Sequence, residues 1–579
     1  MSDHDPITDY VPGESIASFW IRQNAIRPDA PATEYFGNVT TFSALSERID
    51  RYARAFKALK RDPEGTMTLC MPILPTTLAL YFALNKIGER PSFMSEVLLE
   101  HEGLRYLTQT NTETLVVLDY FFPPMAEAVA ASGVANVVLV SLADDLVTVP
   151  DYFPDHLRGI LEIDPSMVVR SVDNGKQHFW THADFAALGD GDEPVDVVFR
   201  DDDSAVVLYT SGSTDLPKGV ELSNAGVISM FHMIRGSTQM DALGHNPGDR
   251  SLCVIPPNHP TAFVHTIMIP TFRGMTHVMY PLYDKRLLPM IVTHIKPQSI
   301  ILTASHWAVL LASDLPDGSL SFVKKVYTGG EPVAPELQEQ IDAFLRRTGV
   351  LDPRLQGGYG MSELGGMVIG NGRALKGVTV RIVDEDGQLV PDGETGLLEV
   401  KTPSRMRGYL HEPELTKQFF TADGFGKTGD MAFRDDDGIY HVIGRYSDSF
   451  ETSDGQRVYL FEIENFLYHD PDVQAAEVAK IPADEIGRET PEAFAPIVYL
   501  TLRDSGREHP METLSRIIEH CQSRFQGPAQ PAAYKVEPGF PASPISGKCD
   551  IKALLKERDG YWRLAEEADR LEPVSFERV

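Results

Sequence analysis

Residues 209–220 read YTSGSTDLPKGV, and the reading of this stretch decides the fold. It follows an apolar, strand-like run, AVVL at 205–208, and gathers Gly212, hydroxyls at Thr210, Ser211, Ser213 and Thr214, and a cation at Lys218. Glycine lets backbone N–H groups approach an anion closely, and hydroxyls and ammonium add donors, so the stretch is built to hold phosphate oxygens. It is not a P-loop, which needs Gly directly before Lys and Ser or Thr directly after it. Here Pro217 precedes Lys218 and Gly219 follows. A surface turn could share the composition, but too many positions fit phosphate contact together for that reading.

Upstream, TFSALSERIDRYARAFKAL at 41–59 spaces Leu45, Ile49, Tyr52, Ala53, Phe56 and Leu59 as one helical stripe after a Ser43 cap. Residues 67–72 read as a buried strand and 77–87 as a helix ending at Gly88. Short apolar runs recur at 116–119 and 137–140 with helix-compatible segments between them, which predicts an α/β architecture with parallel strands. The charge-rich stretch 141–203 reads as irregular surface structure.

The 579 residues exceed one ordinary core and predict at least two domains. Against 52 Lys and Arg stand 83 Asp and Glu, a net charge of −31. That excess argues against nucleic acid or anionic membrane as a partner. There is no secretory signal, no apolar run of bilayer length, and no close pairing among Cys70, Cys253, Cys521 and Cys549. A reduced, cytoplasmic enzyme, monomeric or homodimeric, is the expectation.

Downstream, SNAGVISMFHM at 223–233 reads as a helix. A strand at 251–256 runs into PPNH, and IILTASHW at 300–307 is a strand entering a helix. Ligands bind at such strand ends in open α/β sheets, so Ser305 and Trp307 are pocket candidates, although Trp307 also suits plain core. VYTGGEP follows at 326–332 and GYGMSE at 358–363. GFGKTGD at 424–430 contains a decoy GKT, rejected as a P-loop because Thr421 stands where Gly is needed. Asp437-Gly438 reads as a hairpin turn before a strand at 439–443 and Gly444-Arg445. GQRVYLFEIE at 455–464 and SGKCDIKAL at 546–554 complete the series.

Taken in order, these motifs resemble the adenylate-forming superfamily of acyl-CoA synthetases, luciferases and peptide-synthetase adenylation domains, over roughly residues 41–554. The resemblance implies an α/β fold: a large N-terminal domain, 1–446, of α/β subdomains with mixed sheets, and a small mobile α+β domain, 447–579. It implies ATP contacts from Thr210, Ser211, Gly212, Ser213, Thr214, Lys218, Gly330, Glu331, Tyr359, Gly360, Met361 and Ser362. Asp430 would bind the ribose hydroxyls, its two oxygens suiting a vicinal diol, with Arg445 near ribose and phosphate. Glu363 would hold Mg²⁺. His259, Phe263, Ser305, Trp307 and Gly329 would border the acyl group, with His265 adding polar recognition. Asp448 would be the hinge. Lys548 would be the adenylation lysine, acting with Glu363, Thr210 and Ser362.

The implied reaction joins a small carboxylic acid to AMP with release of pyrophosphate, then passes the acyl group to the thiol of CoA or of phosphopantetheine on a carrier protein. The pocket segment PPNHPTAF lacks the Asp that pairs with an α-amine, so an acid without one is expected. A non-thiol acceptor, such as an amine or an intramolecular closure, and a catalytically silent nucleotide-binding homologue are the alternatives. Asp215 stands where the superfamily has Gly and would repel triphosphate. Ser447 and Glu451 replace two cations common in CoA ligases, and the segment before Gly455 is one residue longer than the superfamily's. These departures favour a carrier or a non-thiol acceptor over free CoA.

Overall fold

Apolar runs become parallel strands when helices cover both faces of a sheet, and the N-terminal half follows that rule. The computed structural model describes residues 11, 13–59, 65–172, 175–195, 200–210, 217–235, 246–330, 333, 335–486, 491–541, 549–565, 568–574 and 576. Thr66–Cys70, Thr112–Leu118 and Asn136–Val140 are buried at every position and pair in parallel. They lie in an eight-stranded sheet ordered Gly408–Tyr409, Gly219–Ser223, Ser204–Tyr209, Pro91–Phe93, Thr66–Cys70, Thr112–Leu118, Asn136–Val140, His178–Thr181. Gly219–Ser223 runs antiparallel to both of its neighbours, so the sheet is mixed at the end that carries the phosphate-loop flanks. A second sheet of six strands is ordered Lys325–Thr328, Ser299–Leu302, Arg250–Cys253, Thr276–Met279, Pro31–Tyr35, Asn38–Thr41, parallel except for its last pair.

The predicted first helix is Phe42–Ala58, with Leu45, Ile49, Tyr52, Ala53 and Phe56 buried as its stripe requires. Its cap is Thr41 rather than Ser43. Thr41 has the extended backbone a cap needs, and its hydroxyl accepts the Ala44 N–H at 3.2 Å, while Ser43 already lies in the first turn. The stretch 141–203 is more ordered than its composition predicts. It holds helices Asp155–Leu161, Pro165–Val172 and His182–Ala187, and the edge strand His178–Thr181 beside Asn136–Val140. These pieces are too short for a hydrophobic period to emerge.

The chain divides into two units, Met1–Val380 with Val400–Gly426, and Arg381–Glu399 with Lys427–Val579. The first holds both large sheets and the small sheet of Gly358–Met361, Gly366–Gly370 and Arg373–Ala374. The second holds a five-stranded mixed sheet, Val473–Pro482, Phe494–Leu502, Ala533–Val536, Trp562–Ala565, Ala568–Pro573. Its core joins Ile463 and Leu467 of helix Leu460–Tyr468 to Leu514 and Ile517 of helix Pro510–Arg524 across Val498 and Leu500. No helix among the described residues is long and apolar enough to cross a membrane.

Candidate functional site

The phosphate-loop stretch is a hairpin connection between Ser204–Tyr209 and Gly219–Ser223. Ser211, Gly212, Ser213, Thr214 and Asp215 lie outside the described residues. The two ends of the loop are tied reciprocally: the Thr210 N–H donates to the Lys218 carbonyl at 3.0 Å, and the Lys218 N–H donates to the Thr210 hydroxyl at 3.0 Å. Tyr106 adds a third tie, its hydroxyl donating to the Pro217 carbonyl at 2.7 Å. The loop therefore starts and ends on fixed backbone, with Thr210 and Lys218 at its mouth.

Strand Gly408–Tyr409 pairs with Gly219–Ser223, and this pairing brings the GYGMSE motif to the loop. The Tyr409 hydroxyl donates to Glu363 Oε1 at 2.9 Å, and the Lys218 ammonium stands 5.8 Å from the Tyr409 ring centroid. The backbone fixes the same group, since the Met406 N–H donates to the Glu363 carbonyl at 2.9 Å and Ser404 Oγ to the Leu364 carbonyl at 2.7 Å. Gly365 permits that approach. It has φ +78°, and a Cβ there would stand 2.1 Å from the Ser404 carbonyl oxygen. Ser362 and Glu363 are buried, whereas Tyr359 and Met361 are half-buried and Gly360 is exposed. Burial, then the Glu363 charge and hydrogen bond, push the Tyr409 hydroxyl above the usual tyrosine range, so it stays a donor. Tyr409 escaped the sequence reading because its role depends on strand pairing across nearly two hundred residues.

The residues expected around the acyl group divide. His259 lies against Gly330, whose φ is +85° and whose Cβ would stand 2.8 Å from His259 Cε1, and Thr261 lies against Gly329. Glu331 is outside the described residues. Phe263 and Trp307 are wholly buried, Phe263 between the rings of Tyr81 and Phe93, and Trp307 with its indole N–H donating to the Tyr327 carbonyl at 3.3 Å. Ser305 is exposed and accepts from Lys285 at 3.3 Å, on the side of its helix away from Trp307. His265 is half-buried with its ring 6.0 Å from that of Tyr327, and its burial holds the imidazole down to about 4, neutral at pH 7. A cavity of about 1300 Å³ is lined by Tyr409, Glu221, Arg405, Arg407 and Phe420 among others. It shares Met406 and Tyr409 with the group around Glu363.

GKT at 426–428 lies within strand Gly426–Arg434 and forms no loop. That strand pairs with Tyr440–Arg445 so that Asp430 faces Arg445, and Arg445 Nε meets Asp430 Oδ1 at 2.8 Å. Thr428 fixes the backbone there: its hydroxyl accepts the Asp430 N–H at 3.1 Å and donates to the Leu398 carbonyl at 2.7 Å. Asp448 is exposed between Tyr440–Arg445 and Ser449–Glu451, its carbonyl accepting the Leu460 N–H at 3.1 Å. Two cations stand near the positions that Ser447 and Glu451 vacate. The Lys480 ammonium donates to the carbonyls of Ser447 and Ser449 at 3.0 and 2.7 Å, and Arg457 meets Glu385 at 2.9 Å and Glu451 at 3.6 Å. Both are already engaged. Lys548 lies outside the described residues.

An α/β sheet in which the flanks of a Gly- and Ser-rich connection, Thr210 and Lys218, stand near a buried carboxylate has the design of a nucleotide-handling enzyme. The family of AMP-binding enzymes matches residues 20–410. Feruloyl-CoA synthase of Amycolatopsis sp is 25% identical over 491 residues, 81% of this chain and 86% of that one. The long-chain-fatty-acid–CoA ligase of Bacillus subtilis (strain 168) is 23% identical over 564 residues, 94% and 95% of the two chains. The crystal structure of an anthranilate CoA ligase in complex with anthranoyl-AMP superposes with a TM-score of 0.73 at 18% identity, covering 95% of this chain and 98% of the other. The chain belongs to the AMP-binding enzymes of the adenylate-forming superfamily, and it has their fold.

Proposed function

We propose that the chain activates a carboxylic acid lacking an α-amine, aryl or acyl, as an acyl-AMP at the expense of ATP, and then passes the acyl group to a thiol. The observation that carries this reading is the grouping of Lys218, Tyr409 and buried Glu363 at the mouth of the phosphate-loop hairpin. A carboxylate oxygen attacks the α-phosphorus, the bond from that phosphorus to the bridging oxygen breaks, and pyrophosphate leaves with the electron pair. Both reactants are anions in a chain of net charge −31, so local donors must offset their repulsion. Lys218, Thr210 and the loop between them face the triphosphate, and Lys548 closes on the reacting phosphate.

Among the described residues no group of three or more His, Cys, Asp or Glu is placed to hold a metal. Mg²⁺ shared with phosphates and water needs only one or two carboxylates, and Glu363, buried and held by a donated hydrogen bond, fits that requirement. When bound, such an ion neutralises triphosphate charge. Asp430, steadied by Thr428 and Arg445, takes the ribose diol.

For the second step, the part from residue 447 turns about Asp448 and exchanges Lys548 for the acceptor. The CoA ligases among the relatives support CoA as that acceptor, while the engaged state of Lys480 and Arg457 supports phosphopantetheine on a carrier. A cytoplasmic location follows from these substrates. The test is acid-dependent exchange of labelled pyrophosphate into ATP across a panel of acids, repeated with Lys548→Ala. Exchange with the parent and a loss of about a hundredfold or more in a folded variant are expected. No exchange with any acid, or full exchange by Lys548→Ala, overturns the reading.

A further inference from the structure

The helical segment after His259 turns one face toward the strand end that carries Gly329 and Gly330. Thr261, Val264 and His265, spaced i, i+3 and i+4, share that face. The Thr261 methyl lies 3.0 Å from where a Cβ on Gly329 would stand. Val264 Cγ2 lies 2.9 Å from where a Cβ on Gly366 would stand, with Met230 Sδ at 3.2 Å. A side chain at either glycine would lever the helix off this wall. One turn beyond Thr261, His265 faces the ring of Tyr327, two residues before Gly329. Phe263–Met268 winds as a π-helix. Such turns are rare and are frequent at functional sites.

His265 is half-buried, and its imidazole makes no hydrogen bond with a described residue. Apolar surroundings keep its imidazole neutral, with one nitrogen a donor and the other an acceptor. Half-burial leaves the ring a side from which a ligand can reach it. The walls beside it are flat rings, Tyr327 tilted 33° to the imidazole. Arg273 is half-buried, 5.6 Å from the Phe231 ring centroid, and its charge bears on the Tyr327 hydroxyl. A neutral imidazole that both donates and accepts matches a hydroxyl, which does the same, whereas a second carboxylate would answer to Arg273.

Resting on the adenylation reading above, we propose that His265 is a specificity-determining residue that hydrogen-bonds a ring hydroxyl of an aryl acid. His265 stands one turn along the helix from Thr261, which lies against Gly329.

The experiment measures acid-dependent pyrophosphate release for benzoic, 4-hydroxybenzoic, cinnamic, 4-hydroxycinnamic, octanoic and adipic acids, with the parent, His265→Leu and His265→Gln. The parent should favour each hydroxylated aryl acid over its unsubstituted counterpart by about tenfold to a hundredfold in kcat/KM. His265→Leu should bring that ratio to within about threefold by lowering the hydroxylated acid's value alone, and His265→Gln should restore part of it. Equal use of hydroxylated and unsubstituted acids by the parent overturns the assignment without touching adenylation, and this measurement needs no variant to fold. A ratio that survives His265→Leu, or a preference for adipic acid, also overturns it. No release with any acid removes the adenylation reading and this assignment together.

Discussion

Tyr409→Phe isolates one hydroxyl whose work is to hold Glu363. The ring remains, so its packing against Phe419, 6.2 Å away, and its place under Lys218 are kept. What is lost is the hydrogen bond to a carboxylate that is only 6% exposed. Hydrogen bonds to charged groups contribute about 1.5 to 3 kcal/mol, and a buried acceptor left short of a donor loses at the upper end. If Glu363 orients the nucleotide's metal, that loss converts to roughly tenfold to a hundredfold in kcat/KM for Mg-ATP, at about 1.4 kcal/mol per decade. The assay is pyrophosphate exchange at varied Mg-ATP and saturating acid, for Tyr409→Phe, Glu363→Gln and the double variant. Because Tyr409 acts through Glu363, the double variant should be no worse than Glu363→Gln alone. Parent-level use of Mg-ATP by a folded Tyr409→Phe, or fully additive losses in the double variant, would refute the reasoning.

Two further predictions concern the second unit. Asp430→Ala removes the ribose acceptors and should raise KM for ATP about tenfold while leaving KM for the acid near the parent value, so ATP titrations that match the parent would exclude the assignment. Glu464 and Glu477 carry carboxyls pushed up to about 8 and about 7, both by burial first, then by neighbouring carboxylates including Asp448. Raised carboxyl values mean that the folded state binds more protons than the unfolded one between about pH 4 and 8, so stability falls as pH rises through that window. Thermal unfolding from pH 5 to 9 should show the fall, and Glu464→Gln should flatten it; identical slopes would count against this.

The strands were legible because burial on both faces leaves short apolar runs, as at 116–119 and 137–140, which mark the strands Thr112–Leu118 and Asn136–Val140. The edge strand His178–Thr181 was not, since its four residues face other surroundings and carry no such run. Within the site, Lys218 and Glu363 could be read from local motifs, but that they share Tyr409 could not, because it follows from pairing distant strands. The meeting of Asp430 with Arg445 was not legible either: the hairpin is centred on Asp437, and an irregularity between Met431 and Ala432 shifts the register by one, so that Arg445 rather than Gly444 faces Asp430.

The eight-stranded sheet ends, beside the phosphate loop, in a strand of only two residues, Gly408–Tyr409. A stub that short offers little ladder for another chain to extend, and it covers the longer strand Gly219–Ser223 behind it. The covered sheet edge and the hydrogen bond to Glu363 thus rest on the same two residues. Gly408 tolerates little, since a Cβ there would stand 2.8 Å from Thr416 Oγ1. A substitution that displaced the stub would strip Glu363 of its donor and at the same time bare a strand edge to self-association, so lost activity and aggregation would arrive together.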